Sequence, residues 1–449
     1  MKINYIFGSI ALILGLNSCF FSAENPYTGL PPGKWRAVLK LDNNPINPNP
    51  RGEPLPDKVN LKFEEVSQGE LPFTFEVIYV TADSFYIEII NGDERIVVDD
   101  IKIGRDKSQA KDTIMIDFPV FDSYIKGYFL ENAIDGEWVV RNRENYRIPF
   151  LARHGRDYRF SNLRKDPVMD VSGRWEATFE IGTPDEYKGI GEFKQEGNHL
   201  TGTFLTETGD YRYLEGTVQA NKLYLSCFDG SHAYLFEGKI NPKDSSMIGS
   251  FRSGNHYQTS WEATFNPKAK LADAHALTYL KPGYSKIDFS FENTEGKMVS
   301  LNEARYKNKV KIIQIMGTWC PNCRDETEFL VDYLKQHPEQ EIEIIALAFE
   351  RHKEKDKAMD ALRRYRDNFK MDYELLLAGS SDDKAKASQV LPMLNAVLAF
   401  PTMIIIDKND RVQRIHTGFS GPATSEHKQF KAEFNRFMLQ LLSNKSVQQ

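Results

Sequence analysis

The sequence predicts a multidomain chain. An α/β domain fills the C-terminal third, and two all-β units of barrel or sandwich type precede it. Three observations carry this reading. Residues 33–265 consist of short alternating runs punctuated by Gly, Asn and Asp, with almost no helical periodicity. After residue 284, apolar strands alternate with polar-faced helices, the pattern of an α/β sheet. The pentapeptide Trp175-Glu176-Ala177-Thr178-Phe179 recurs as Trp261-Glu262-Ala263-Thr264-Phe265, at the first and last strands of one β unit.

Taken in order, Met1-Lys2 leads into an apolar stretch, Ile3 to Leu16. It is shorter than the ~20 residues a membrane span needs, and it fits a secretory signal. Leu16-Asn17-Ser18-Cys19 resembles a bacterial lipobox, with a simple cleaved signal as the alternative. The lipobox implies a signal peptide over 1–18, diacylation of Cys19 as the mature N-terminus, and anchoring to a membrane of the cell envelope on the periplasmic side. Residues 19–32 read as a tether, and Pro45–Pro56 as a loop.

The first β unit is assigned to 33–165. It opens with Gly33-Lys34-Trp35-Arg36-Ala37, and its strands are expected to end near Gly136-Glu137-Trp138. The second, 170–266, opens similarly with Gly173-Arg174-Trp175-Glu176-Ala177. Eight short strands are expected in it, one of them running unbroken from Tyr211 to Gln219. In an up-and-down barrel the two Trp-Glu-Ala-Thr-Phe strands are neighbours and close the sheet. The two units resemble calycin-type barrels. Ligand or client binding, partner docking and simple spacing of the next domain all stand open as their role. Cys227, in strand-like sequence, reads as a buried small hydrophobe.

Residues 267–283 are a linker, and 284–445 the α/β domain. Its strand Val310–Met316 runs into Trp319-Cys320-Pro321-Asn322-Cys323 and then a polar-faced helix. A thiol at a helix N-terminus meets unpaired N–H groups and the positive end of the helix dipole, which favour the reactive thiolate. The spacing lets Cys323 resolve a mixed disulfide on Cys320 within one turn. A zinc site and an inert structural disulfide are the competing readings. A structural zinc needs about four ligands, whereas the chain has four cysteines in all, no second CxxC and no nearby His pair. No metal is assigned.

The segment from about Tyr284 to Leu442 resembles the thioredoxin superfamily, and within it the TlpA/ResA-type thiol–disulfide oxidoreductases. Gly317 to Cys323 looks like that group's strand-to-helix turn. Glu326 matches a glutamate common in it, and Phe400-Pro401-Thr402 its cis-proline element. Ile287 to Leu301 resembles the opening segment shared with redoxins of the AhpC/TSA kind. The resemblance implies that Cys320 attacks, Cys323 resolves, and the two form a redox-active disulfide. It also implies that Glu326 moves protons, and that Trp319, Phe400 and Pro401 border the bound substrate. Gln314 stands where thioredoxin itself has a buried aspartate, which leaves proton handling to Glu326, with Glu350 second. Peroxiredoxins usually carry Pro-x-x-x-Thr-x-x-Cys; here the residue seven before Cys320 is Ile313.

A net charge of −6 argues against nucleic acid, and no phosphate-binding loop occurs, so no cofactor is assigned. Electrons are expected from an upstream thiol donor in the membrane or envelope, and client proteins bearing disulfides are the expected substrates. Two alternatives remain at this point: a lipoprotein whose β units carry a ligand- or client-binding function, and a thiol peroxidase.

Overall fold

A computed structural model describes residues 27, 29–41, 69–338, 341–381 and 384–443. The signal segment, Cys19 and the Pro45–Pro56 loop lie outside the described residues.

The first unit has nine described strands: β1 (Gly33–Lys40), β2 (Glu70–Thr81), β3 (Ser84–Asn91), β4 (Glu94–Val98), β5 (Ile101–Asp106), β6 (Lys111–Phe118), β7 (Ser123–Leu130), β8 (Ala133–Val140) and β9 (Arg147–His154). They form one sheet in the order β4-β3-β2-β1-β9-β8-β7-β6-β5, and β4 and β5 do not pair, so it is a half-barrel. The expected end near Trp138 falls one strand short. Strand β9 follows it, with Ile148, Phe150 and Ala152 facing the core, and pairs Ala152 with Ala37 of β1. The charged ends and Pro149 of Arg147–His154 hide that alternation in the sequence.

The second unit comprises β10 (Gly173–Phe179), β11 (Tyr187–Glu196), β12 (His199–Thr206), β13 (Gly209–Asp210), β14 (Leu214–Gln219), β15 (Lys222–Phe228), β16 (Ala233–Asn241), β17 (Ser246–Ser253) and β18 (Tyr257–Phe265). Each of the eight longer strands pairs with its sequence neighbours. The β10–β18 pairing joins first to last, with Ala177 opposite Ala263 and Phe179 opposite Trp261. The barrel is therefore closed, and it has no long open edge. Trp175, Phe179, Phe204, Phe236 and Trp261 fill its core. The expected strand Tyr211–Gln219 is interrupted: Arg212 is left-handed (φ 58°), and its N–H donates to Asp210 Oδ1 at 2.7 Å. An Asp that caps its own turn competes with the strand ladder, so the regular strand restarts at Leu214.

The two β units share a core. Strand β15 is buried along nearly its whole length because both of its faces are covered. Leu223, Leu225 and Cys227 point into the barrel. Tyr224 and Phe228 fill the concave face of the half-barrel, where Phe228 stacks on Phe73 at 4.4 Å and meets the edge of Trp138 at 5.2 Å. Arg159, in the connection between the units, is 7% exposed. It donates to Ser226 Oγ, Asn91 Oδ1 and Glu215 Oε2 at 2.8–3.0 Å. A buried guanidinium satisfied from both units fastens them together.

The third unit is α/β. After a single-turn helix α1 (Ala274–Leu277) come β19 (Ser290–Asn293), β20 (Met298–Ser300), β21 (Val310–Met316), α2 (Pro321–Gln336), β22 (Ile342–Glu350), α3 (Lys355–Phe369), β23 (Glu374–Ser380), α4 (Lys384–Val390), β24 (Thr402–Ile406), β25 (Val412–Thr417) and α5 (His427–Leu442). The sheet order is β20-β19-β23-β22-β21-β24-β25, with β21, β22 and β23 parallel and the rest antiparallel. Central strand β21 is buried on both faces. Val310 and Ile312 pack on α2 and α5, Met316 on α3, and Ile313 and Ile315 on the opposite layer. Full burial of each such side chain contributes roughly 1.5–3 kcal/mol. This rigid centre delivers the chain to the CxxC turn at the C-terminal end of a parallel strand, where open α/β sheets place their sites.

Candidate active site

The turn from β21 to α2 is built by close packing. Gly317 leaves room for the Trp319 indole to fold back, since a Cβ there would lie 2.4 Å from its Nε1. The indole N–H donates to the Phe349 carbonyl at 2.9 Å. Glu350, fully buried at the end of β22, accepts from Thr318 N at 2.9 Å and from Thr318 Oγ1 at 2.8 Å. Burial pushes its carboxyl up, and the two Thr318 donors pull the other way. Glu350 thus holds the turn in place.

Cys320 is the N-cap of α2 and Pro321 its first residue, a position that needs no N–H. The Cys323 N–H donates to Cys320 Sγ at 3.2 Å. The two cysteines are joined as a disulfide with Cα atoms 5.2 Å apart. Gln314, under the first turn of α2, donates to the Cys323 carbonyl at 3.4 Å and to Thr327 Oγ1 at 3.1 Å.

Facing the disulfide, Phe400–Pro401 is a cis peptide, and Cys320 Sγ lies 3.3 Å from the Phe400 carbonyl oxygen. The Trp319 and Phe400 rings meet edge to face at 5.6 Å. Glu326 is fully buried in α2, and neither carboxyl oxygen has a hydrogen-bond partner among the described residues. Burial pushes its pKa up to about 8, opposed by the Gln314 amide. Cys320, Cys323, Trp319, Phe400 and Pro401 are brought together at this turn. Glu326 sits three residues beyond Cys323 on the same helix, and Glu350 is occupied with Thr318.

The part not foreseen is the wall above the disulfide. Cys320 is 3% exposed and Cys323 fully buried, because the closed barrel covers the turn. Gly209 (φ 142°) presses against the Asn322 amide, where a Cβ would come within 2.6 Å of Oδ1. Ser231 Oγ donates to the Trp319 carbonyl at 3.3 Å. A cleft of about 220 Å³ remains, with Tyr211, His232 and Tyr234 on the barrel side and Trp319, Cys320 and Phe400 on the other.

Arg212 fixes that wall. Its guanidinium donates to Asp325 Oδ2 at 2.5 Å and to Glu94 Oε1, and lies 3.9 Å from Asp229 Oδ2. One buried cation thereby links the half-barrel, the barrel and α2. Asp210, from the same turn, accepts from Gly421 N at 2.6 Å. Burial and the neighbouring Asp325 raise its pKa to about 6. No motif marks Arg212, because its role depends on a turn inside a predicted strand.

Residues 282–415 match the AhpC/TSA family. Thioredoxin-like protein YneN of Bacillus subtilis (strain 168) is 25% identical over 142 residues, 31% of this chain and 73% of that protein. Thiol-disulfide oxidoreductase ResA of Bacillus thuringiensis subsp. konkukian (strain 97-27) is 27% identical over 130 residues, 29% of this chain and 66% of that one. The C-terminal domain has a thioredoxin-like fold, and its residues 282–415 are similar to the AhpC/TSA family. Among solved structures, a thioredoxin-family thiol:disulfide interchange protein from Chlorobium tepidum TLS covers 35% of this chain and 95% of its own, at 21% identity and a TM-score of 0.27. A thiol-disulfide oxidoreductase from Bacteroides fragilis NCTC 9343 covers 34% and 99%, at 15% identity and a TM-score of 0.26. In this chain the cis-proline turn and the CxxC turn face each other across the cleft.

Proposed function

We propose that the chain is an envelope thiol–disulfide oxidoreductase that reduces client disulfides through Cys320 and Cys323. The observation that carries this is Cys320 Sγ at the N-cap of α2, within reach of Cys323 and opposite Phe400–Pro401. In the reduced protein, Cys320 thiolate attacks one client sulfur. The client S–S bond breaks, a Cys320–client disulfide forms, and the first client thiolate leaves and takes up a proton. Cys323 thiolate then attacks Cys320 Sγ and releases the second client thiol. Two electrons pass from the cysteine pair to the client, and an upstream thiol donor restores the pair.

Glu326 serves as the proton reservoir for Cys323. Held neutral up to about pH 8, it can give a proton to a leaving thiolate, and the carboxylate so formed can take one back from a thiol. Phe400 and Pro401 seat the client backbone, and Trp319 borders it. The apolar surroundings of the disulfide, among them Met316, Val331, Ala346 and Ala348, give little stabilisation to the charged reduced form, which favours a reducing pair. Lipidation of Cys19 and placement on the periplasmic side of the envelope complete the reading.

The test is trapping. The reduced full chain is mixed with a disulfide-bearing protein such as insulin. The reading expects turnover by the native chain, a stable Cys320-linked mixed disulfide with Cys323→Ser, and neither with Cys320→Ser. Equal activity in Cys320→Ser would discard it. Peroxide consumption by the reduced chain exceeding disulfide reduction would favour a peroxidase instead.

A further inference from the structure

Beside the cleft lies a group of cationic and aromatic side chains that disulfide exchange itself does not require. Arg351, just after β22, places its Cζ 4.1 Å over the ring of Trp319. Arg143, from the loop between β8 and β9, lies 5.2 Å over the ring of Tyr146. Tyr146 Oη is 3.1 Å from His256 Nδ1, and His232 and Tyr234 line the cleft itself. All three units of the chain contribute. Both arginines are partly exposed, and neither has a carboxylate within 4 Å or a side-chain acceptor among the described residues. The nearby carboxylates are engaged elsewhere: Glu350 with Thr318, Asp229 with the N–H groups of Ser231 and His232, Asp210 with those of Arg212 and Gly421. Burial pushes the Arg351 guanidinium down to about 9; the neighbouring Arg143 adds to this and Glu350 opposes it in part. His256 is held neutral by burial and by the same arginines, its pKa down to about 2.

Two neighbouring guanidiniums with no carboxylate paired directly to either among the described residues are costly, and a carboxylate is the group their planar forks pair with best. We propose that Arg351 and Arg143 form a binding site for a carboxylate carried close to the disulfide of the substrate, one wall of the site being the Trp319–His232–Tyr234 side of the cleft. The proposal rests on the redox reading above and adds a substrate class to it. A space of about 220 Å³ takes an extended segment or a small disulfide rather than a folded surface. Arg351 lies on Trp319, which lines the cleft with Cys320, and the exchange proceeds as written above with the same two electrons.

The test uses three small disulfides of different charge on the pre-reduced full chain: glutathione disulfide, which carries carboxylates, neutral hydroxyethyl disulfide and cationic cystamine. The rate of Cys320–Cys323 oxidation is followed by acid quench and mass spectrometry. The proposal expects the rate ratio of glutathione disulfide to hydroxyethyl disulfide to fall about 10-fold in Arg351→Gln and in Arg143→Gln, and to recover in part in Arg351→Lys. Arg351 also packs on Trp319, so Arg143→Gln, which touches neither Trp319 nor a cysteine, is the independent variant. An unchanged ratio in both, or faster oxidation of the native chain by cystamine than by glutathione disulfide, overturns the site. Failure of all three disulfides to oxidise the pair overturns the redox reading beneath it.

Discussion

Glu326 is a fully buried carboxyl group with no hydrogen-bond partner among the described residues, one helical turn past Cys323. Its pKa of about 8 stands above the ordinary carboxyl value, so the folded chain holds a proton there that the unfolded chain releases. The sign follows from linkage. The neutral group imposes no penalty below about pH 4.5, and stability falls as pH rises from there through about 8, at up to ~1.4 kcal/mol per pH unit. Glu326→Gln is expected to flatten that slope while slowing disulfide exchange. Urea melts at pH 5, 6, 7 and 8 check the first effect, and single-turnover oxidation the second. A variant that keeps the slope would assign the proton elsewhere. At the lipid end, Cys19→Ser is expected to abolish incorporation of labelled palmitate into the chain expressed in a Gram-negative host. Labelling that persists would refute the anchor. At this scale the cysteines were legible from their spacing along one turn, and Glu326 and Pro401 through the resemblance to the TlpA/ResA group. Arg212 was not, because its meaning comes from Glu94, Asp229 and Asp325, which sequence distance keeps apart.

Strand β15 gives the lesson at the level of elements. Its run Leu223-Tyr224-Leu225-Ser226-Cys227-Phe228 reads as one side of a barrel, yet both faces are covered, the outer one by the half-barrel. The recurring Trp-Glu-Ala-Thr-Phe segment made the closing β10–β18 pair readable. The incomplete closure of the first unit was not, because what fills its concave face comes from another unit. Phe228→Ala removes a ring buried between Phe73, Phe118 and Trp138 and is expected to cost about 3–5 kcal/mol. Val97→Thr, on the exposed face of edge strand β4, is expected to stay within about 0.5 kcal/mol. Urea unfolding of both variants checks the contrast. Equal small effects would mean the shared core is not formed.

Across the whole molecule, the barrel packs against the turn that carries the disulfide. The barrel forms a wall of the cleft, and Arg212 ties that wall to α2 and to the half-barrel. Removing one member of a buried charge network leaves the others unpaired, at a cost of about 3–5 kcal/mol. Arg212→Met is therefore expected to destabilise the chain and to speed alkylation of reduced Cys320 by iodoacetamide several-fold, read by mass spectrometry under native conditions. An unchanged alkylation rate in a folded Arg212→Met chain would show that the wall does not limit access.

The central claim is that Cys320 and Cys323 cycle as a reducing pair, and their reduction potential tests it most directly. The full chain is equilibrated in graded dithiothreitol and glutathione buffers, and the fraction of Cys320–Cys323 disulfide is read by mass spectrometry. A midpoint near or below about −250 mV, in the range of thioredoxin, is the predicted result. A midpoint near about −120 mV would mean that the pair oxidises its clients, and a disulfide that never cycles would return the function to the β units.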